Sequence, residues 1–185
     1  MSENAGEDYD VVLLIEQALS EQDAAQVHSL HEGLDQQVTY HVLLPLEDAA
    51  ARIESAMGSL TAGDMLASPT MPMSEVDLDA VRKESQERSD DELARTLDAL
   101  RKSGAVASGQ IVTDPPIDAL AAKVTEVDGR EAIILTRPHV VAEFFHLDWT
   151  SKARRRLGVP LLHLLEHETF DEQAEGYGDE GITGL

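Results

Sequence analysis

The segment EAIILTRPHVVAEFFHLDWTSKARRRLGVPLLHLLEH, residues 131–167, decides the fold of this chain. It opens with a short apolar run, Ala132–Leu135, and closes with a second one, Val159–Leu165. A loop and a short basic helix, which carries Lys152 and Arg154–Arg156, separate the two runs. Short apolar runs joined through a helix are typical of parallel strands that are buried on both faces.

The same alternation of strand and helix runs through the rest of the chain. Apolar runs at 9–16, 37–44 and 105–113 predict three earlier strands, and helices are expected at 21–32, 46–60, 74–102 and after Asp114. Alternation of this kind gives a parallel sheet that helices cover on both faces. The sequence therefore predicts an α/β fold: a single-domain, Rossmann-like three-layer sandwich around a five-stranded parallel sheet.

Local signals suggest where the helices begin and end. Ser20 is a good N-cap for the first helix, whose apolar face holds Ala24, Val27, His31 and Leu34, and Gly33 is expected to close it. Residues 89–92 (SDDE) form a capping-box pattern that predicts a break in the long polar helix. Asp114 is expected to cap the next helix, whose first turn holds two prolines.

Composition excludes several classes of function. The chain has 185 residues and no cysteine, which excludes disulfides and thiolate metal sites. Its net charge is −22, with no Lys or Arg before Arg52 or after Arg156, and such a surface repels nucleic acid and anionic lipid. Without a signal peptide or a membrane-length apolar run, the expected location is the cytoplasm. Residues 1–8 are expected to be disordered, and 168–185 to form a mobile acidic tail.

Five strands with four covering helices, closing on the strand that follows Gly158, resemble the universal stress protein domain over residues 9–167. The resemblance implies the sheet order 3-2-1-4-5 and a ligand cleft at the carboxyl ends of the first and fourth strands. It also implies a homodimer formed through the last strand. Residues 45–75 are longer than the corresponding connection in that family and would be an elaboration.

The family's phosphate-binding motif is altered in this chain. In that family the loop after the fourth strand carries Gly, two residues, Gly, nine residues, Gly and then Ser or Thr, and it cradles the phosphates of ATP. Leu135 and Pro138 stand at the first two glycine positions, with Thr136 and Arg137 between them, and the last two positions are Asp148 and Trp149. The acidic first-strand residue has Glu16 as its nearest match, followed by Gln17 rather than a small turn residue.

These replacements oppose phosphate binding. Glycine lets a backbone approach phosphate closely with its N–H groups inward. Pro138 has no N–H to donate, and Leu135 adds side-chain bulk. Asp148 would place a negative charge at a helix N-terminus, where phosphates need donors. We therefore expect no cofactor, with ATP binding absent or weak; Arg137 and His139 leave room only for an anion at the rim.

Other candidate sites have structural alternatives. His28 and His31, three apart, could hold a metal, but one packed and one surface histidine is the simpler interpretation. His41 and His163 lie in apolar strands as satisfied core residues, and the basic helix is expected to pair with nearby carboxylates. A chelating role for the residues around Glu166 is a further, minor option. The aromatic patch is expected to cover the top of the sheet or to form an interface; it consists of Phe144, Phe145, Leu147 and Trp149.

Three functions are compatible with these residues. The first is a non-catalytic universal-stress-protein-like protein that does not bind ATP and acts through protein–protein contact or sensing. The second is a small-molecule binder that uses a modified, more apolar cleft. The third is a nucleotide-binding or nucleotide-hydrolysing stress protein, which would need a phosphate cradle and a water-activating group. No Walker loop, Gly-x-Ser-x-Gly elbow or Rossmann glycine run is present in the sequence.

Overall fold

A computed structural model describes residues 8–46, 75–136 and 155–166. By its internal contacts the chain divides into two units, Leu46–Asp91 and the combination of Met1–Pro45 with Glu92–Leu185. In the Leu46–Asp91 unit the described residues are Leu46 and the first part of a helix, where ion pairs such as Arg88–Glu84 at 3.0 Å link successive turns. The helix predicted at 46–60 lies outside the described residues.

The larger unit is built on a five-stranded sheet. In chain order the elements are β1 (Tyr9–Ile15), α1 (Glu21–Ser29), β2 (Val38–Pro45), α2 (Glu75–Lys102, shared with the other unit), β3 (Val106–Val112), α3 (Pro116–Glu126), β4 (Glu131–Thr136) and β5 (Leu161–Leu165). Every described strand pair is parallel, and the order is β3-β2-β1-β4-β5. The predicted α/β fold and strand order are confirmed.

The central strand β1 explains why the sequence forms three layers. Val11, Leu13 and Ile15 point to one face, where they pack with residues of α1 and the later part of α2. Val12 and Leu14 point to the other face and pack with Leu120 and Val124 of α3. A strand buried on both faces must be apolar throughout, and each fully buried aliphatic side chain contributes about 1.5–3 kcal/mol.

The ends of α1 follow the prediction in part. Ser20 is the N-cap, and its hydroxyl oxygen accepts the Asp23 N–H while the Asp23 carboxylate accepts the Ser20 N–H, a complete capping box. The expected closure at Gly33 is wrong. The helix ends at Ser29, and short turn bonds such as His31 N–H to the His28 carbonyl at 3.1 Å satisfy its last carbonyls. Leu34 is consequently 41% exposed rather than part of the apolar face.

Two other predicted helix boundaries are wrong for identifiable reasons. Residues 89–92 lie inside α2, because ion pairs one turn apart and helix-favouring residues on both sides outweigh the local capping pattern. At α3 the N-cap is Pro115, which makes no side-chain cap, rather than Asp114. Pro116 takes the first helical position, where its missing N–H costs nothing and its fixed φ suits the helix.

Strand β3 is the edge strand that is least covered. On the α1 and α2 face, a Cβ added at Gly109 would stand 2.7 Å from Leu93 Cδ1, so glycine lets α2 approach this strand closely. On the opposite face α3 packs mainly over β1, β2 and β4. Val106 is 45% exposed there, and Ser108 and Gln110 are exposed as well.

Candidate functional site

The candidate cleft lies where the carboxyl ends of β1, β4 and β5 meet. The chain crosses from β1 outward to β2 and β3 and then returns to β4 on the other side of β1, so the strand order reverses between β1 and β4. In open parallel sheets ligands bind in the crevice at such a reversal, outside the carboxyl ends of the strands. The residues that follow Ile15, Leu135 and Leu165 therefore form the floor of this site.

The loop after β1 is held in place at its far end. The Leu19 N–H donates to Thr96 Oγ1 of α2 at 3.1 Å, and the Thr96 hydroxyl donates in turn to the Glu92 carbonyl at 2.9 Å. Thr96 is fully buried, the Leu19 side chain packs in the core, and Ser20 caps α1 one residue later. Residues 16–18 therefore cross the top of the sheet between two fixed points.

A hydrogen bond between side chains spans the crevice. Gln17 Nε2 donates to Glu166 Oε2 at 2.5 Å, and Glu166 is only 1% exposed. The Glu166 N–H also donates to the Thr136 carbonyl at 2.9 Å, which fixes the end of β5 against β4. Since β4 lies between β1 and β5, the Gln17–Glu166 bond passes over the end of β4. We call this pair the crevice clasp.

The clasp residues follow two strands at matching positions. Ile15, Leu135 and Leu164 are register partners across β1, β4 and β5. Gln17 and Glu166 each follow the outer members of that row by two residues, Gln17 in the bend after β1 and Glu166 in the turn after β5. Sequence reasoning did not single out this pair. The signal that the sequence offered was a polar residue two positions after a buried apolar residue near the end of β1 and of β5.

The described motif positions are engaged within the protein. Leu135, at the first glycine position, is an interior residue of β4 and is 2% exposed in the core. The Thr136 hydroxyl lies 2.8 Å from His163 Nε2, and burial lowers the pKa of the His163 imidazole, which favours its neutral form. Glu16 is partly buried directly after β1. Arg137, Pro138, Asp148 and Trp149 lie outside the described residues.

The polar side chains at these strand ends are poor ligands for phosphate. Glu16, Gln17, Thr136 and Glu166 supply two carboxylates, one amide and one hydroxyl, and none of the four is a cation. Phosphate binding relies on N–H donors and positive charge, whereas carboxylates close to a phosphate repel it. By charge, these four described side chains suit a neutral or cationic group better than a phosphate.

The remaining candidates are accounted for by internal contacts. His31 is packed, with Nδ1 2.8 Å from the Tyr40 hydroxyl oxygen, while His28 is partly exposed. His41, expected in the core, is only partly buried and bonds Asp10. Arg156 pairs with Asp118 at 2.6 Å, which confirms the predicted internal pairing for that residue of the basic helix. Within the described ranges, no three His, Asp or Glu side chains converge as a metal site, and no helix could span a membrane.

Comparison with known proteins identifies the fold. No protein-family model and no curated protein matches the chain. Among solved structures, hypothetical protein MJ0577 aligns over 87% of this chain and 99% of its own, with 11% identity and a TM-score of 0.53. A universal stress protein family protein from Arabidopsis thaliana with AMP bound aligns over 95% and 99%, with 12% identity and a TM-score of 0.50. The chain has the universal stress protein fold. The expected resemblance is confirmed at that level, and the loss of ATP binding stays a prediction.

Proposed function

We propose that this is a universal-stress-protein-like protein whose crevice neither binds ATP nor catalyses a reaction, and that it acts through protein–protein contact or as a sensor. The crevice clasp is the observation that carries this proposal. In the universal stress protein fold the ligand cleft opens between the ends of β1 and β4, and the Gln17–Glu166 bond runs across that opening.

A nucleotide would meet two obstacles in this crevice. It would have to break the bond between Gln17 and Glu166, which leaves a buried carboxylate without its amide donor and costs about 1.5–3 kcal/mol. Its phosphates would then lie near the carboxylates of Glu16 and Glu166. Pro138, at the second glycine position of the motif, has no N–H to donate against this repulsion.

Calorimetric titration tests the absence of nucleotide binding. With ATP and with AMP at up to about 1 mM, we expect no saturable heat, because a dissociation constant weaker than that corresponds to less than about 4 kcal/mol of binding free energy. The AMP-binding Arabidopsis thaliana protein, titrated in the same buffer, is the positive control. A micromolar complex with either nucleotide would overturn the proposal and favour a nucleotide-binding stress protein.

We also propose that two copies associate through β5. This strand forms one edge of the described sheet, opposite β3, and an edge strand can pair with another chain through its backbone. Sedimentation velocity at high micromolar concentration is expected to give twice the 20.1 kDa mass of one chain. Amide exchange in 161–165 should slow as concentration rises, while 106–112 at the opposite edge serves as the unchanged control. A monomer under these conditions contradicts the proposal.

A further inference from the structure

Three polar side chains on neighbouring strands form a hydrogen-bonded chain away from the crevice. Asp10 of β1 lies two residues before Val12, and Val12, His41 and Ser108 are register partners across β1, β2 and β3. Side chains in one register row share a face, and Asp10 returns to it by the two-residue period. Asp10 Oδ1 is 2.7 Å from His41 Nε2, and Ser108 Oγ is 3.4 Å from His41 Nδ1.

These three hydrogen-bonded side chains are accessible to small molecules. It lies on the α3 face, toward the β3 edge, where Ser108 is exposed and Asp10 and His41 are partly buried. A shallow hollow of about 70 Å³ adjoins it, and its lining includes His41, Ser108, Gln110 and Lys123. A hollow of this size holds no more than a few water molecules, which limits an occupant to a short group.

The order of the contacts defines where the protons lie. The Asp10 carboxylate can only accept, so the short bond holds a hydrogen on His41 Nε2. In the neutral form of the ring, Nδ1 then carries the lone pair and faces the Ser108 hydroxyl. A serine whose hydroxyl faces an imidazole lone pair, with that imidazole oriented by a carboxylate, is the arrangement that activates serine as a nucleophile. The 3.4 Å separation is of the long kind found in ligand-free sites.

We propose that Ser108 is a nucleophilic serine with His41 as its general base and Asp10 as the positioning residue, and that the hollow accepts the short acyl group of a small activated ester. Ser108 Oγ attacks the ester carbonyl carbon while its proton passes to His41 Nδ1. The ester C–O bond then breaks, and His41 returns the proton to the departing alkoxide, which leaves as the alcohol. Acyl-Ser108 remains, and water releases the carboxylic acid from it in a second step with His41 again as base.

Lys123 of α3 lines the same hollow as Ser108, and its ammonium bonds Glu126 at 2.8 Å. The site lies within β1, β2 and β3, away from the clasp residues beyond the carboxyl ends of β1 and β5. It is therefore independent of the proposed loss of nucleotide binding.

Covalent labelling tests the proposal on the full chain. The protein is incubated with a small fluorophosphonate and, separately, with p-nitrophenyl acetate, and the modified residue is located by peptide mass spectrometry. We expect both groups on Ser108, an about 100-fold slower reaction in His41→Ala because general-base catalysis is lost, and a reduction of at least about tenfold in Asp10→Asn. Ser103→Ala is the matched control, since that hydroxyl bonds the Leu100 carbonyl and no histidine.

The positioning role of Asp10 has its own readout. Nitrogen-15 spectra of the imidazole should show the Nε2–H tautomer of His41 in the parent protein and its loss in Asp10→Asn, with the thermal midpoints of all variants compared. Absence of label on Ser108, preferential label on another serine, or an unchanged rate in His41→Ala would each overturn the proposal. Mapping the label on the unmodified chain identifies the reactive serine without any substitution at Ser108.

Discussion

His31→Ala is expected to lower the free energy of unfolding by about 3 kcal/mol, because it removes a buried ring and leaves two polar partners exposed to a cavity. His31 is 6% exposed. Its Nδ1 is 2.8 Å from the Tyr40 hydroxyl oxygen, and its Nε2 is 3.2 Å from Glu131 Oε2. Chemical denaturation monitored by circular dichroism measures the change.

The network around His31 joins elements that are far apart in the chain. Val11 of β1 is the register partner of both Tyr40 in β2 and Glu131 in β4, so these two side chains flank it on the α1 face. The Tyr9 hydroxyl also donates to Glu131 Oε2 at 3.3 Å. Since His31 lies just after α1, this cluster fixes α1 against three strands at the amino end of the sheet.

The Tyr40 hydroxyl is a hydrogen-bond donor in this cluster. Burial, and then the nearby Glu131 carboxylate, raise the pKa of Tyr40, so its hydroxyl keeps its proton. That proton can go to His31 Nδ1, with Nε2–H donated to Glu131. With the ring hydrogen on Nδ1 instead, the Tyr40 hydroxyl would accept from His31 and donate to the Val27 carbonyl at 3.3 Å, but Nε2 would then have no hydrogen for Glu131. The first arrangement satisfies both polar partners of His31.

His28→Ala is the matched control, since His28 lies three residues earlier in the chain and is partly exposed. Its loss is expected to cost no more than about 1 kcal/mol. Equal effects of the two substitutions would show that the His31 network does not stabilise the fold. The comparison also separates the two histidines that the sequence offered together as a metal pair.

The strands could be predicted because their signal is local and repeated. In β1 every residue from Val11 to Ile15 is buried, a pattern that only a strand covered on both faces requires. Helix ends were less predictable, because capping patterns compete with neighbouring turns. Residues 89–92 carry a capping box that the surrounding helix overrides, whereas the Ser20 box forms as expected.

The candidate site could be located but not described from the sequence. The strand order places the crevice at the ends of β1 and β4, and the motif positions Leu135 and Thr136 do lie there. The clasp joins Gln17 to Glu166, 149 residues apart, and the Asp10–His41–Ser108 chain joins three strands. Such pairs depend on strand register, which local sequence does not specify until the pairing of the strands is known.

The Gln17–Glu166 pair of the crevice clasp is expected to show a large coupling in the free energy of unfolding, which a double-mutant cycle measures. Gln17→Ala is expected to lower the free energy of unfolding by about 2 kcal/mol, because the buried Glu166 carboxylate loses an amide donor. Glu166→Ala should cost a similar amount. The double variant should cost about 1.5 kcal/mol less than the sum, since the Gln17–Glu166 bond is already lost in either single variant.

The exposed pair Arg156–Asp118, at 2.6 Å, is the control for this cycle, and its coupling is expected to stay at or below about 0.5 kcal/mol. The two couplings differ because of burial. When an exposed ion pair is broken, water replaces the lost partner, whereas the buried Glu166 has little access to water. A coupling near zero for Gln17 and Glu166 would show that the clasp does not close the crevice. A coupling of the expected size means that any ligand entering between β1 and β4 must first overcome it.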